Sequence, residues 1–181
     1  RIGIAVSGGP DSLALLLLAD AAFPGRVEAA TVDHGLRPES ASEARFVAGL
    51  CRDRGIEHAI LTCAVADGNL QDRARSARYA ALDQWAKARE LAAIATAHHA
   101  DDQAETVLMR LNRGSGLSGL SGIRASTPIP GSDTLLLRPL LAWRRDELEQ
   151  IVAAAAVAPI RDPSNDDPRF DRVRMRSALR N

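Results

Sequence analysis

The 181-residue sequence predicts an α/β fold, with a parallel sheet covered by helices on both faces. Three observations lead there. Short apolar runs alternate with longer amphipathic stretches, as strand-helix repeats do. The runs are continuous rather than alternating polar and apolar, which suits strands buried on both faces. The glycine-bearing and charged motifs fall at the carboxyl ends of these runs, where parallel sheets bind ligands. At 46% hydrophobic and 25% charged, the chain fits one globular domain with a real core.

Residues 2–6 read as the first strand, followed by a glycine-rich turn and an apolar helix over 13–22. That helix is too short to span a bilayer and nothing like a charged leader precedes it, so no membrane association and a cytoplasmic location are expected. Strands are expected at 27–32, 58–61 and 91–96, with helices at 42–54, 70–89 and 101–111 between and after them. A glycine- and serine-rich segment, 114–122, precedes a further short strand at 134–137 and a helix at 144–157. The sequence starts at Arg1 without a methionine and stops inside a basic, helix-like stretch. Residues 1–157 are therefore expected to form the main domain. Residues 158–181 read as an arginine-rich loop and short helical extension, cut before further C-terminal domains.

The formal net charge is zero, so overall charge gives no support to nucleic-acid binding. Lys87 is the only lysine among the 23 basic residues, a compositional bias that lowers the weight of any single arginine. Cys51 and Cys63 form no CxxC and read as reduced thiols, not a disulfide framework or zinc site.

Ser7-Gly8-Gly9-Pro10-Asp11-Ser12, between the first strand and its helix, is the most specific motif. Small residues let the backbone approach a phosphate, and the amides of the next helix's first turn are donors for an anion. No lysine follows the glycines, so this is not a Walker A loop, and the glycine spacing is not that of a GxGxxG turn. Asp33 and His34 end the second strand, beside this loop in a parallel sheet, where a nucleotide's ribose and base are commonly met. After the fourth strand comes His98-His99-Ala100-Asp101-Asp102, with Glu105 and Thr106 beyond. A helix beginning near His98 would put residues 98, 101, 102 and 105 on one face, as a metal or proton-transfer site. The residues leave open whether His98, His99 or Glu105 is the base.

The glycine-rich loop resembles the PP-loop of the N-type ATP pyrophosphatases, which cleave ATP between the α and β phosphates. Within that group the segment from Val32 to Arg37, His99 with Asp101, Asp102, Glu105 and Thr106, and Arg75, Arg78 and Tyr79 are similar to motifs of the lysidine synthases. So are Gly114 to Leu120, Asp162-Pro163-Ser164-Asn165, and the tail from Phe170 to Arg176, in which Val173 replaces the usual asparagine. The resemblance implies a Rossmann-like, adenine nucleotide alpha hydrolase-like domain that uses ATP and Mg²⁺. Ser7 to Ser12 with Asp33 and His34 would bind ATP, Asp11 and Asp102 the metal, and Arg78 the α-phosphate. Arg172, Arg174 and Arg176 would contact RNA. It implies a C–N ligase that adenylates the wobble cytidine and admits lysine. Its partners would be tRNA(Ile) and free L-lysine, with homodimerisation left open. The alternatives are a tRNA thiolase or a small-molecule amidating ligase, against which stand the missing CxxC and glutaminase cysteine motifs. A nucleotide-binding module without chemistry has no need of both the loop aspartate and the acid-histidine cluster.

Overall fold

The computed structural model describes residues 1–35, 39–63, 70–112, 114 and 121–160. The chain runs β1 (Ile2–Ala5), α1 (Pro10–Ala22), β2 (Val27–Asp33), α2 (Ser40–Asp53), β3 (Glu57–Thr62) and α3 (Leu70–Ala88). It continues through β4 (Ile94–Ala95), α4 (Ala100–Asn112), β5 (Ser126–Pro128), β6 (Leu135–Leu137) and α5 (Arg145–Ala154). The strands form one sheet in the order β3-β2-β1-β4-β6-β5. The expected α/β architecture is present, with one refinement: every pairing is parallel except β5 with β6. Pro128 lacks an N–H and suits this edge position, and Gly131 at φ +78° turns the chain back into β6.

Alternate residues of the strands feed two cores. Ile4, Ala29 and Ala95 pack with α1, α2 and α5, whereas Ala30, Ile94 and Leu136 pack with Tyr79, Leu82 and Trp85 of α3. The middle of helix α1 is apolar all round because it is covered all round: Leu13, Ala14, Leu15, Leu16 and Leu17 are all buried. Each such leucine contributes roughly 1.5–3 kcal/mol of burial, which anchors the helix whose first turn carries the glycine-rich motif. No helix among the described residues is long and apolar enough to cross a membrane.

At the amino end of the sheet, Arg89 pairs with the buried Glu28 at 2.8 Å and also with Glu57. At the far edge, Asp83 of α3 accepts hydrogen bonds from Ser132 at 2.5 Å and from Thr134, which fix the β5–β6 turn against α3. Of the extension expected at 158–181, residues 161–181 lie outside the described residues.

Candidate functional site

The sheet order creates the site. From β1 the chain first builds outward to β2 and β3, then returns to place β4 on the other side of β1. Connections leaving β1 and β4 diverge, and a crevice opens above their carboxyl ends. Ile4 pairs with Ala95, so Ser7 and His98, each three residues further on, emerge at the same level.

The glycine-rich loop is rigid. Ser12 Oγ accepts the Ser7 N–H at 3.1 Å and donates to Gly9 O at 3.0 Å. Gly8 sits at φ +85°, and a Cβ there would run into the Ile160 side chain, while the Ile160 backbone N–H donates to Gly8 O at 2.9 Å. Gly9 caps α1 in an extended conformation, Pro10 opens the helix, and no side chain caps it. The first-turn amides therefore face the crevice as anion donors. Residues Ser7, Gly8, Gly9, Pro10, Asp11 and Ser12 thus form one cradle.

Across the crevice, α4 begins at Ala100, not near His98. His98 and His99 belong to the strand-to-helix turn, so the single helical face expected for residues 98, 101, 102 and 105 is corrected. Asp102 reaches back to accept the His99 N–H at 3.0 Å, a carboxylate cap that fixes the turn. Asp101 accepts the Arg145 N–H at 3.0 Å and ties α4 to α5.

His99, 3% exposed, collects the acids. Its Nε2 lies 3.5 Å from Asp11 Oδ2 and 3.6 Å from Asp102 Oδ2, and its Nδ1 lies 3.3 Å from Asp101 Oδ2. The Nδ1 distance is an ion-pair approach rather than an aligned hydrogen bond. Burial disfavours the imidazolium, but Asp11, Asp102 and Asp101 together outweigh it and hold the pKa above the usual value. Asp11 and Asp102 thereby converge on one atom, and Asp11 Oδ1 is buried without a hydrogen-bond partner. Two carboxylates suit Mg²⁺, which takes few protein ligands and completes its shell with phosphate oxygens and water. Among the described residues no group of three or more His, Cys, Asp or Glu side chains could hold a metal ion.

His98 is the opposite case. Burial pushes its pKa down to about 4, assisted by the positive charges of Arg138, Arg75 and Arg78 against the pull of Asp102. Its Nδ1 is 3.0 Å from Thr96 Oγ1. Two adjacent histidines are thus driven apart, one toward the neutral base and one toward the cation. Glu105 is buried on α4 at 1% exposure.

On the other side of the loop, Asp33, His34, Gly35, Thr62 and Cys63 line an open depression of about 320 Å³ above β2 and β3. Asp33 is held below the usual carboxylate range by hydrogen bonds from Ser40 and the Gly35 N–H. His34, 3.0 Å from Cys63 Sγ, is lowered first by burial and then by Arg78. The Arg78 charge thus bears on both His34 and His98. Its guanidinium also lies 5.5 Å from the centre of the Tyr79 ring.

Sequence reasoning missed Arg138. It follows β6 directly, and an arginine at the carboxyl end of a buried parallel strand was the available signal. Arg172, Arg174 and Arg176 lie outside the described residues.

A phosphate-cradling loop at the switch point of a parallel sheet defines a nucleotide-binding α/β domain of the PP-loop class. The chain belongs to the PP-loop domain family, whose profile matches residues 1–181. It is 57% identical over 181 residues to a protein of Novosphingobium aromaticivorans named tRNA(Ile)-lysidine synthase, covering 99% of this chain and 56% of that one. A protein of the same name from Zymomonas mobilis is 54% identical over 185 residues, again covering 99% and 56%. The chain thus spans about half the length of the curated relatives it matches. A U34-tRNA thiolase from Methanococcus maripaludis, solved with its [4Fe-4S] cluster, shares the fold. Its TM-score is 0.79 at 17% identity, covering 99% of this chain and 65% of that one.

Proposed function

We propose that this chain is the ATP-consuming part of an enzyme that converts the wobble cytidine of tRNA(Ile) to lysidine. The observation that carries the reading is the convergence of a phosphate cradle, paired carboxylates and an arginine-flanked neutral histidine on one crevice. The names of the relatives at 54–57% identity support the choice of substrate.

In the first step the cytidine O2 attacks the α-phosphorus of ATP, the bond to the bridging oxygen breaks, and pyrophosphate leaves. The loop amides of Gly8, Gly9, Asp11 and Ser12 hold the leaving pyrophosphate, and Arg78 offsets charge developing on the α-phosphate. Asp33 and His34 accommodate the nucleoside in the depression above β2 and β3. Asp11 and Asp102 would hold Mg²⁺, which supplies charge neutralisation on the phosphates. In the second step a lysine amine, having lost a proton, attacks C2 and AMP departs. His98, neutral at physiological pH, is suited to take that proton, while Glu105 offers a negative charge to a lysine ammonium. His99 keeps Asp11 and Asp102 in place.

Cluster-dependent thiolation fits less well. Cys51 is buried in α2 with its thiol pushed up to about 11, and Cys63 lies apart from it at the end of β3.

The test separates the half-reactions in full-length protein with cognate tRNA. Arg78→Ala is expected to lower tRNA-dependent pyrophosphate release. Glu105→Gln is expected to lower lysine incorporation while leaving ATP binding in place. Undiminished lysine incorporation by Glu105→Gln would remove Glu105 from its role.

A further inference from the structure

Arg138 stands at the carboxyl end of β6, level with Thr96 because Ala95 pairs with Leu137. It is 8% exposed. Its Nη1 donates to Arg124 O at 2.8 Å and to Thr127 Oγ1 at 3.1 Å, while its buried Nε has no hydrogen-bond partner. Those partners, among the described residues, are a carbonyl and a hydroxyl, with no carboxylate. A buried guanidinium that lacks an anion is costly, and an anion arriving beside it recovers that cost.

The layout of the crevice says which anion. Along the sheet the nucleoside depression lies above β3 and β2 and the phosphate cradle above β1. His98 follows β4, and Arg138 follows β6, two strand spacings or roughly 10 Å from the cradle. The nucleotide thus takes one half of the crevice, and Arg138 with His98 and Thr96 stands in the other, where a second reactant belongs. An RNA phosphodiester is met by exposed arginines reaching outward; a guanidinium this deeply buried admits only a small oxyanion.

On the lysidine reading above, we propose that Arg138 binds the α-carboxylate of the free amino-acid co-substrate and thereby selects an amino acid over a simple amine. The fork of the guanidinium matches a carboxylate, and Nη1 already holds its plane through Arg124 and Thr127. The carboxylate end then lies toward β6 and the amine end toward His98 and the cradle.

The experiment uses full-length protein, tRNA(Ile) and ATP, and compares lysine with cadaverine, which is lysine without its carboxylate. Arg138→Gln is expected to raise the KM for lysine roughly tenfold to a hundredfold more than the KM for cadaverine, the size of a lost hydrogen bond to a charged group, with pyrophosphate release retained. Arg138→Lys keeps the cation and should fall between Arg138→Gln and wild type. Thr127→Val, which removes a structural hydrogen bond but leaves the charge, should retain the wild-type preference for lysine. Equal losses for both amines, a loss of pyrophosphate release with lysine KM intact, or the same defect in Thr127→Val would each overturn the assignment. If wild type attaches neither amine, the lysidine reading itself fails and this proposal falls with it.

Discussion

His99 Nε2 lies 3.5 Å from Asp11 Oδ2, so the first turn of α1 is bound to the turn after β4 across the mouth of the crevice. His99 is nearly inaccessible and also touches Asp101 and Asp102. Replacing it leaves three carboxylates facing one another around a cavity. His99→Ala is expected to cost about 2–3 kcal/mol of stability and to lower pyrophosphate release, as read by urea unfolding and pyrophosphate exchange. Asp11→Ala should abolish exchange with little change in the unfolding midpoint. Wild-type exchange by folded Asp11→Ala would exclude that carboxylate from the phosphate chemistry.

Gly8 offers a cleaner backbone test. Its φ of +85° disfavours any side chain, and a Cβ would also meet Ile160. Gly25, at φ +71°, has open space around it and is the control. Gly8→Ala is expected to cost about 1–3 kcal/mol and to weaken ATP binding in a calorimetric titration, whereas Gly25→Ala should leave ATP affinity alone.

Asp83 gives the fold a pH signature. Although partial burial disfavours its charge, hydrogen bonds from Lys87, Ser132 and Thr134 lower its pKa from 3.8 to about 2. A depressed carboxylate contributes stability that is fully present above its unfolded pKa and is lost as pH falls through the folded one. Asp83→Asn should therefore be less stable than wild type at neutral pH by roughly 1–3 kcal/mol. The gap should narrow between pH 4 and pH 2 in thermal melts. A pH-independent gap would mean that the charge of Asp83 is not what holds the β5–β6 turn.

Parts of this site were legible in the sequence because the chemistry was local. Ser7 to Ser12 follow an apolar strand directly, and the cradle needs only that sequence order. The helix expected at 101–111 starts within one residue of α4, but the face drawn through His98 failed because Asp102 caps the turn and leaves both histidines outside the helix. β5 was missed because Ser126–Pro128 is short and carries a proline, and its pairing comes from the turn that Asp83 anchors at long range. β4 keeps only Ile94–Ala95 of the expected run, since pairing with β1 and β6 ends where the chain turns into the site. Arg138 was hidden by the abundance of arginine; its place after a parallel strand was a weak signal, and its burial with no carboxylate partner among the described residues singles it out.

The tail arginines lend themselves to a solution test. With zero net charge, RNA affinity must come from a local footprint. Replacing Arg172, Arg174 and Arg176 together should weaken tRNA binding and reduce the slope of log affinity against log salt by roughly two to three, with ATP binding unchanged. An unaltered slope would return these residues to a solvated helix face.

The most direct measurement incubates full-length protein with ATP, Mg²⁺, labelled lysine and tRNA(Ile) carrying a wobble cytidine, beside the same tRNA with a wobble uridine. Label is expected in the cytidine tRNA alone, with AMP and pyrophosphate released in step with it. Consumption of ATP on the cytidine tRNA with no lysine attached would contradict the lysidine reading, and would assign this crevice to a different modification of RNA.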